Sequence, residues 1–470
     1  MNYKDLGFKC GLEAHQQIES HKLFCQCPSL VNDEHEPTIF FERKLRAAAG
    51  ETGVVDKAAA YEMEKGKTFQ YEACPSSSCL VEFDEEPPHP VNHDALKIAL
   101  EVALLLHAKP VSEVHFMRKT VVDGSNVSGF QRTALIAVDG YVETSLGKVA
   151  VSSVCLEEEA AKKIEAKEDS VRFRLDRLGV ALVEIATDAS IQDPEHAKET
   201  AALLGMILRS TGKVKRGLGT IRQDVNLSIT GHPRVELKGF QELRYMPKVI
   251  DEEVKRQQGE GKKGIAHVRK VNADGSSDYL RPMPGAARMY PETDVPLIIL
   301  SKELVQSIVL PELLDEKALR FEREYGLNSD LARMLVREDV AFELFLRKYP
   351  LLDASFIVQC LVSMPKEIQA RFGLEGVLHE KDFDMVFGLL TEKKIAKEAV
   401  LDILVSLLKK EKIDLQKYAP VDEDEVEKVI KKIIHENKGA PLNALMGEAM
   451  KQLRGKVDGK KVMELLKKLS

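Results

Sequence analysis

The chain has 470 residues, 44% of them hydrophobic and 30% charged, with a formal net charge of −7. That length is a prior for roughly three domains with ordinary globular cores. The acidic balance excludes a generally basic nucleic-acid coat, no apolar run reaches 18 residues, and MNYKDLGFKCGLEAH lacks a signal peptide's layout, so no membrane segment is expected and the chain reads as cytoplasmic.

Residues 1 to 300 mix short strands with helices. Gly11–Ile18, read as a strand, puts Glu13, His15 and Gln17 on one face. A carboxylate beside an imidazole suits a metal or phosphate site; a solvent-facing polar edge is the plainer alternative. Next come Cys25-x-Cys27 and Cys74-x4-Cys79, four of seven cysteines. The odd count argues against a disulfide framework. Two close pairs can build a tetrahedral thiolate site for zinc, or stay ordinary reduced thiols. Cys10, Cys155 and Cys360 sit in apolar surroundings and read as core.

Asp94–His107 carries Leu96, Ala99, Leu100, Ala103 and Leu104 on one helical stripe. Gly124–Gly129 has the glycine spacing of a P-loop, but Phe130-Gln131 follows instead of Lys-Ser/Thr, so it is not one. Glu157-Glu158-Glu159 closes an apolar strand. Glu184 is the only charge in the run Gly179–Ala186, and a buried lone carboxylate is costly unless paired, hydrogen-bonded or metal-bound. Asp193 before Pro194 fits the N-cap of a helix to Ser210. Gly217-Leu218-Gly219 begins like a dinucleotide fingerprint but lacks its third glycine. Asp224–Ile229 and Arg234–Lys238 alternate as a hairpin, with Asp224, Asn226, Ser228, Glu236 and Lys238 on the polar face. Clustered carboxylates with one histidine suit Mg²⁺. Arg118, Lys119, Arg132, Arg216, Arg222, Lys238 and Arg288 are available for phosphates.

From Ser301 onward strand signals vanish and helical periods take over. Ala419-Pro420 interrupts them. The acids Asp422–Glu425 then open a helix with Val426, Val429, Ile430, Ile433 and Ile434 on one face. From Lys438 to the end, eight Lys/Arg face three acids. That tail suits an RNA contact, while a solvated helical face explains the charge as simply. The expected fold class is α+β: a mixed or antiparallel-sheet domain over 1–300, a helical domain over 301–410 and a small helical tail domain over 411–470.

Long motifs carry a resemblance. GLEAHQQI, KLFCQC, CLVEFDEEPPHPVN, MRKTVVDGSNVSGFQRT, LEEEAAKKI, LDRLGVALVEIATDA, VKRGLGTIRQDVNLSI, VELKGFQEL and PGAARMYPETDVP resemble the archaeal branch of the GatB/GatE family of tRNA-dependent amidotransferase subunits. The end, KGAPLNALMGEAMKQLRGKVDGKKVMELLKKL, resembles that family's YqeY-like tail.

The resemblance implies a catalytic cradle, a helical domain and a tRNA-binding tail. It implies an ATP- and Mg²⁺-dependent kinase that phosphorylates the glutamyl group of Glu-tRNA(Gln) before amidation. The implied catalytic set is Glu13, His15, Glu158, Glu184, Asp224 and Lys238. Mg²⁺ ligands would come from Glu13, His15, Glu157, Glu158 and Glu184. Lys119, Asp123, Asn126, Gln131, Arg132 and Arg222 would hold the nucleotide, and Cys25, Cys27, Cys74 and Cys79 zinc. The implied partner is a GatD-like glutaminase, in a dimer of heterodimers. The rival readings are a bacterial-type GatB protein acting with GatA, also on Asp-tRNA(Asn), and a non-catalytic tRNA-binding homologue. Two departures stand out. A large insert resembling part of aspartyl-tRNA synthetase is missing between Gly264 and Arg281, and Glu159 stands where the family usually has aspartate.

Overall fold

The computed structural model describes residues 1–30, 36–49, 53–240, 242–260, 264–272, 274–285, 288–338, 340–374, 376–419, 421, 423–437, 440–453, 456–457 and 459–469. Asp422, Lys438, Arg454 and Asp458 of the tail, and Ala273, Ala286 and Ala287 of the motifs above, lie outside them. The fold is α+β and forms two compact units, Met1–Leu313 and Leu314–Ser470. No helix among the described residues is long and apolar enough to cross a membrane.

The first unit is built on an eleven-stranded mixed sheet. Ten strands follow one path: β1 (Lys9–Gln17), β2 (Phe116–Thr120), β3 (Phe130–Thr144), β4 (Gly147–Glu158), β5 (Ala181–Thr187), β6 (Ile221–Ser228), β7 (Val235–Phe240), β8 (His267–Val271), β9 (Ser277–Pro282) and β10 (Met289–Pro291). Their spatial order is β9-β8-β7-β6-β1-β5-β4-β3-β2-β10, all antiparallel except β7 with β8. β1 therefore runs in the middle, between β5 and β6.

The two edge strands, β9 and β10, are almost adjacent in sequence. Nine inter-strand steps of about 4.8 Å would separate them by roughly 43 Å in a flat sheet. The seven residue-to-residue steps from Pro282 to Met289 reach at most about 25 Å. The sheet must therefore curl into a trough, with that short segment joining its two lips.

Period-two patterning divides the sheet's faces. Leu12, Ala14, Val225, Leu227, Val183, Ile185, Val154 and Leu156 pack into one core. That core is covered by α2 (His93–Leu105), α3 (Pro194–Ser210) and α4 (Met246–Glu260). Asp193 caps α3 as the sequence implies, its side chain accepting from His196 N at 2.8 Å. Two helices carried too weak a stripe to read: α1 (Lys57–Glu64), with two buried alanines, and α4, whose apolar residues are sparse. The opposite face of the sheet is polar and lines the trough. A second sheet pairs Ile39–Arg43, Thr68–Ala73, Ser170–Arg174 and Lys162–Ala166 around Phe69, Tyr71 and Phe173.

Every regular element among the second unit's described residues is a helix. One core gathers Phe321, Leu335, Phe342, Phe345, Phe387, Ile403 and Leu404. A separate cluster joins Glu423–Glu436, Leu442–Leu453 and Gly459–Leu469 through Val426, Ile430, Ile433, Leu445, Ala449, Val462 and Leu466.

Candidate active site

The trough encloses a cavity of about 770 Å³, within the range that small-molecule sites occupy. Its floor is the polar face of β4, β5, β1, β6 and β7. Register builds the floor in rows. His15 lies opposite Glu184 on one side and Arg222 on the other, while Glu13 lies opposite Asp224. Alternation along β1 thus points Glu13 and His15 inward while Leu12 and Ala14 enter the core.

Glu13, His15 and Asp224 each offer a ligand atom within 4.8 Å of the other two. His15 Nδ1 is buried and has no hydrogen-bond partner. Burial lowers the His15 pKa, against the upward pull of Glu157 and Asp224, so its imidazole is neutral and keeps a lone pair. Burial also raises the Glu13 carboxyl, and the Glu236 charge adds to the rise. Asn226 Nδ2 donates to Glu13 Oε1 at 3.0 Å. An orphaned imidazole nitrogen beside two carboxylates is a donor set that fits a hard divalent cation.

Lys119, from β2, reaches the floor beside them. Its Nζ is 2.6 Å from Glu157 and 3.6 Å from Glu184. Burial works against the Lys119 charge, but Glu157 and then Glu184 outweigh it and raise its pKa. Glu157 feels the same burial, yet Lys119, by its charge and its hydrogen bond, holds it low, at about 2. Glu184 goes the other way: burial first, then the Glu157 charge, push it up to about 8. The two carboxyls therefore share a proton near neutrality, with Glu157 the ionised member. On the far side Lys238 Nζ bridges Asp224 at 2.6 Å and Glu236 at 2.5 Å. Arg222 donates to Glu159 at 2.8 Å.

Most residues singled out in the sequence meet here: Glu13, His15, Lys119, Asp123, Asn126, Gln131, Glu157, Glu184, Arg222, Asp224 and Lys238 all line the cavity. Asp123 also closes its own turn, accepting from Ser125 N at 3.0 Å.

Two residues of the implied catalytic, Mg²⁺ and nucleotide set do not line it. Glu158 and Arg132 lie against the other side of the sheet, where Arg132 N donates to Glu158 at 2.9 Å and Arg132 Nε to Glu292 at 2.7 Å. The reason is parity. On β4 Glu157 faces the trough, so Glu158 faces away and Glu159 returns to it. Glu159, Glu236, Asp56, Arg281 and Arg288 also line it and are not in the implied set. Strand alternation identifies Glu159 and Glu236; no local signal marks Asp56 or Arg281. Cys155 was read as core, but it is only half-buried and sits across from Glu184.

The cysteines gather differently from the expectation. Cys25, Cys27 and Cys79 converge with Glu82, not with Cys74. Cys25 Sγ donates to Glu82 Oε1 at 3.0 Å, and Cys79 N donates to Glu82 Oε2 at 2.7 Å. Cys74 instead meets the Glu36 carbonyl at 3.7 Å and Arg174 Nη2 at 3.4 Å. Its strand, Thr68–Ala73, carries it into the second sheet's surroundings. Burial and Glu82 push the Cys25 thiol up, and burial pushes Cys79 to about 11. Three thiols and a carboxylate are a set that zinc can use, with the ion itself supplying the charge that deprotonates them.

Residues 8–306 match the GatB/GatE catalytic domain, and residues 367–469 match the GatB domain. The chain belongs to the GatB/GatE family. It is 37% identical to the E-type subunit of glutamyl-tRNA(Gln) amidotransferase from Methanosarcina acetivorans, over 99% of this chain and 98% of the relative. The E-type subunits of Methanocaldococcus jannaschii and Thermococcus sibiricus are also 37% identical, over 100% and 99% of this chain and 99% and 98% of their own. The first of these alignments runs over 622 positions against a chain of 470 residues, so about 150 positions of this GatB/GatE relative face a gap. At the point where the motifs indicate a missing insert, β8 and β9 are joined by a short turn in which Asn272 N donates to Ser276 O at 2.9 Å.

Proposed function

We propose that this chain converts Glu-tRNA(Gln) to Gln-tRNA(Gln) by phosphorylating the glutamyl carboxylate with ATP and passing the acyl phosphate to ammonia. A carboxylate resists ammonia because oxide is a poor leaving group. Transfer of the γ-phosphoryl group makes ADP and an acyl phosphate, and ammonia then displaces inorganic phosphate. The observation that carries this reading is the Glu13–His15–Asp224 group with its unpartnered buried His15 Nδ1, set among paired carboxylates and lysines. The archaeal relatives are named for amidotransfer on Glu-tRNA(Gln), and the same chemistry is inferred for this chain.

Glu13, His15 and Asp224 would hold Mg²⁺, which when bound neutralises phosphate charge. Lys119 keeps Glu157 ionised and stands at the edge of the same space, where it can stabilise charge on the transferred group. Glu184 carries the shared proton near neutrality and can donate it to the departing phosphate, while solvent takes the proton that the attacking ammonia loses. Lys238 holds Asp224 and Glu236 in one orientation. The curled sheet shields the reacting groups from bulk water.

The further features of this reading follow the family. Ammonia comes from a GatD-like glutaminase, the assembly is a dimer of heterodimers, and the chain works in the cytoplasm. Its organisation is a catalytic cradle over 1–300, a helical domain over 301–410 and a tRNA-binding tail over 411–470, supported by the separate tail core. The family resemblance assigns the missing insert to the β8–β9 turn.

The test supplies the chain with Mg²⁺, ATP, Glu-tRNA(Gln) and ammonium chloride. ADP and Gln-tRNA(Gln) are both expected, with ADP dependent on charged tRNA. Tight tRNA binding with no ADP would favour a silent RNA-binding homologue instead.

Zinc is assigned to Cys25, Cys27, Cys79 and Glu82. Metal analysis of the purified chain should find about one equivalent. Cys25→Ser and Cys79→Ser should lose it, and Cys74→Ser should keep it. Loss in Cys74→Ser would restore the four-cysteine site.

A further inference from the structure

Five cationic side chains among the described residues line the trough: Lys119, Arg222, Lys238, Arg281 and Arg288. Three are already committed to carboxylates: Lys119 to Glu157 and Glu184, Arg222 to Glu159, and Lys238 to Asp224 and Glu236. The side chains of Arg281 and Arg288 have no ion-pair or hydrogen-bond partner among the described residues. Arg281 Nε is enclosed and makes no hydrogen bond. Native structures rarely leave such a donor unsatisfied without a ligand or water to take it.

The two arginines come from opposite edges of the sheet. Arg281 lies on β9 in register with Val268 of β8, which is in register with Glu236 of β7, so it shares the floor's polar face. Arg288 directly precedes β10, whose Met289 pairs with Lys119 on β2. The curl of the sheet brings both lips over one cavity, and each lip contributes one free guanidinium to it.

The geometry points to Arg281 and Arg288 as a two-sided clamp for the phosphate tail of the nucleotide. The inference rests on the proposed ATP-dependent activation and assigns residues to it. A triphosphate entering this trough meets Glu13, Glu157, Glu159, Asp224 and Glu236, and Lys119, Arg222 and Lys238 are already taken up by the last four of those acids. Uncommitted guanidiniums supply the remaining positive charge, and their forked donors match phosphate oxygens in pairs. Both arginines are half-buried inside the trough, which suits a compact group that enters it better than an RNA backbone that passes over it. During transfer the γ-phosphorus–oxygen bond to ADP breaks as the bond to the carboxylate oxygen forms. The clamp then faces the charge spread over the equatorial oxygens.

The test uses the full chain and two probes, MgATP and inorganic tripolyphosphate. Arg281→Ala and Arg288→Ala should each raise the Kd for MgATP at least about tenfold, with Glu-tRNA(Gln) affinity within about twofold and partial recovery in the lysine variants. On the wild-type chain, phenylglyoxal should label both arginines, and ATP or tripolyphosphate, but not adenosine, should protect them. That labelling needs no variant to fold. Wild-type ATP affinity in both alanine variants, or labelling that ATP does not slow, would overturn the clamp. Protection by tRNA alone would assign the arginines to RNA phosphates and overturn the nucleotide assignment. A wild-type chain that binds no nucleotide would overturn the proposed function as well, whereas one that binds ATP normally without these arginines loses only the clamp.

Discussion

His15→Ala is expected to lower ADP formation about 100-fold to 1,000-fold, the range for removing one preorganised electrostatic group from an active site. His15 sits at mid-sheet on β1, with Glu184 on one flank and Arg222 on the other. Its ring nitrogen Nδ1 is buried without a partner, and its Nε2 lies 3.8 Å from Glu184. Burial keeps the ring neutral, so it can serve as a ligand but not as a cation for phosphate. Alanine removes the one nitrogen donor of the Glu13–His15–Asp224 group. The Mg²⁺ concentration needed for half-maximal ADP formation should therefore rise along with the fall in rate. The side chain projects into the trough, away from the apolar core, so thermal unfolding should shift little. Unchanged Mg²⁺ dependence with a wild-type rate would remove His15 from the site.

The sequence makes the floor of this site legible because strand periodicity is short and strict. Glu13 and His15 on β1, and Asp224 and Lys238 on the β6–β7 hairpin, follow from alternation alone, and the structure brings all four to one cavity. The lone carboxylate in an apolar strand, Glu184, was also informative, because its burial cost implies a neighbour; that neighbour is the Glu157–Lys119 pair. Three consecutive acids are different. Nothing in Glu157-Glu158-Glu159 says which parity faces inward until register fixes it, Glu157 lying opposite both Thr133 and Leu182.

The cysteine cluster fails to read for a related reason. Two spaced pairs suggest four thiols, whereas the structure groups Cys25, Cys27 and Cys79 with Glu82, a carboxylate three residues beyond Cys79. Helices α1 and α4 escape notice because their apolar residues are small or sparse, so tertiary packing rather than a strong stripe holds them. The curl of the sheet is the least local feature. It depends on pairing β10 with β2, a contact between residues about 170 positions apart, and it is what brings Arg281 and Arg288 to one cavity.

Parity also yields the sharpest contrast between neighbouring residues. Glu157→Gln should cost about 100-fold to 1,000-fold in ADP formation. The change removes the ionised member of the Glu157–Glu184 pair and the closest partner of Lys119. Lys119 would turn to Glu184, drawing its carboxyl back toward the ordinary range and ending its capacity to exchange a proton near neutrality. Glu158→Gln should leave the ammonia-supplied rate within about threefold, because its side chain lies on the opposite face and only positions Arg132. Its effect should appear as stability. Glutamine keeps an acceptor for Arg132 N, and Glu292 still holds Arg132 Nε, but a charge-assisted contact in a buried cluster weakens, at a cost of about 1–3 kcal/mol. Urea unfolding followed by circular dichroism, with ADP release measured on the same preparations, separates the two effects. Equal loss of activity in both variants would mean that the face of β4 does not decide function here, and that Arg132 and Glu158 act on the reaction through the sheet.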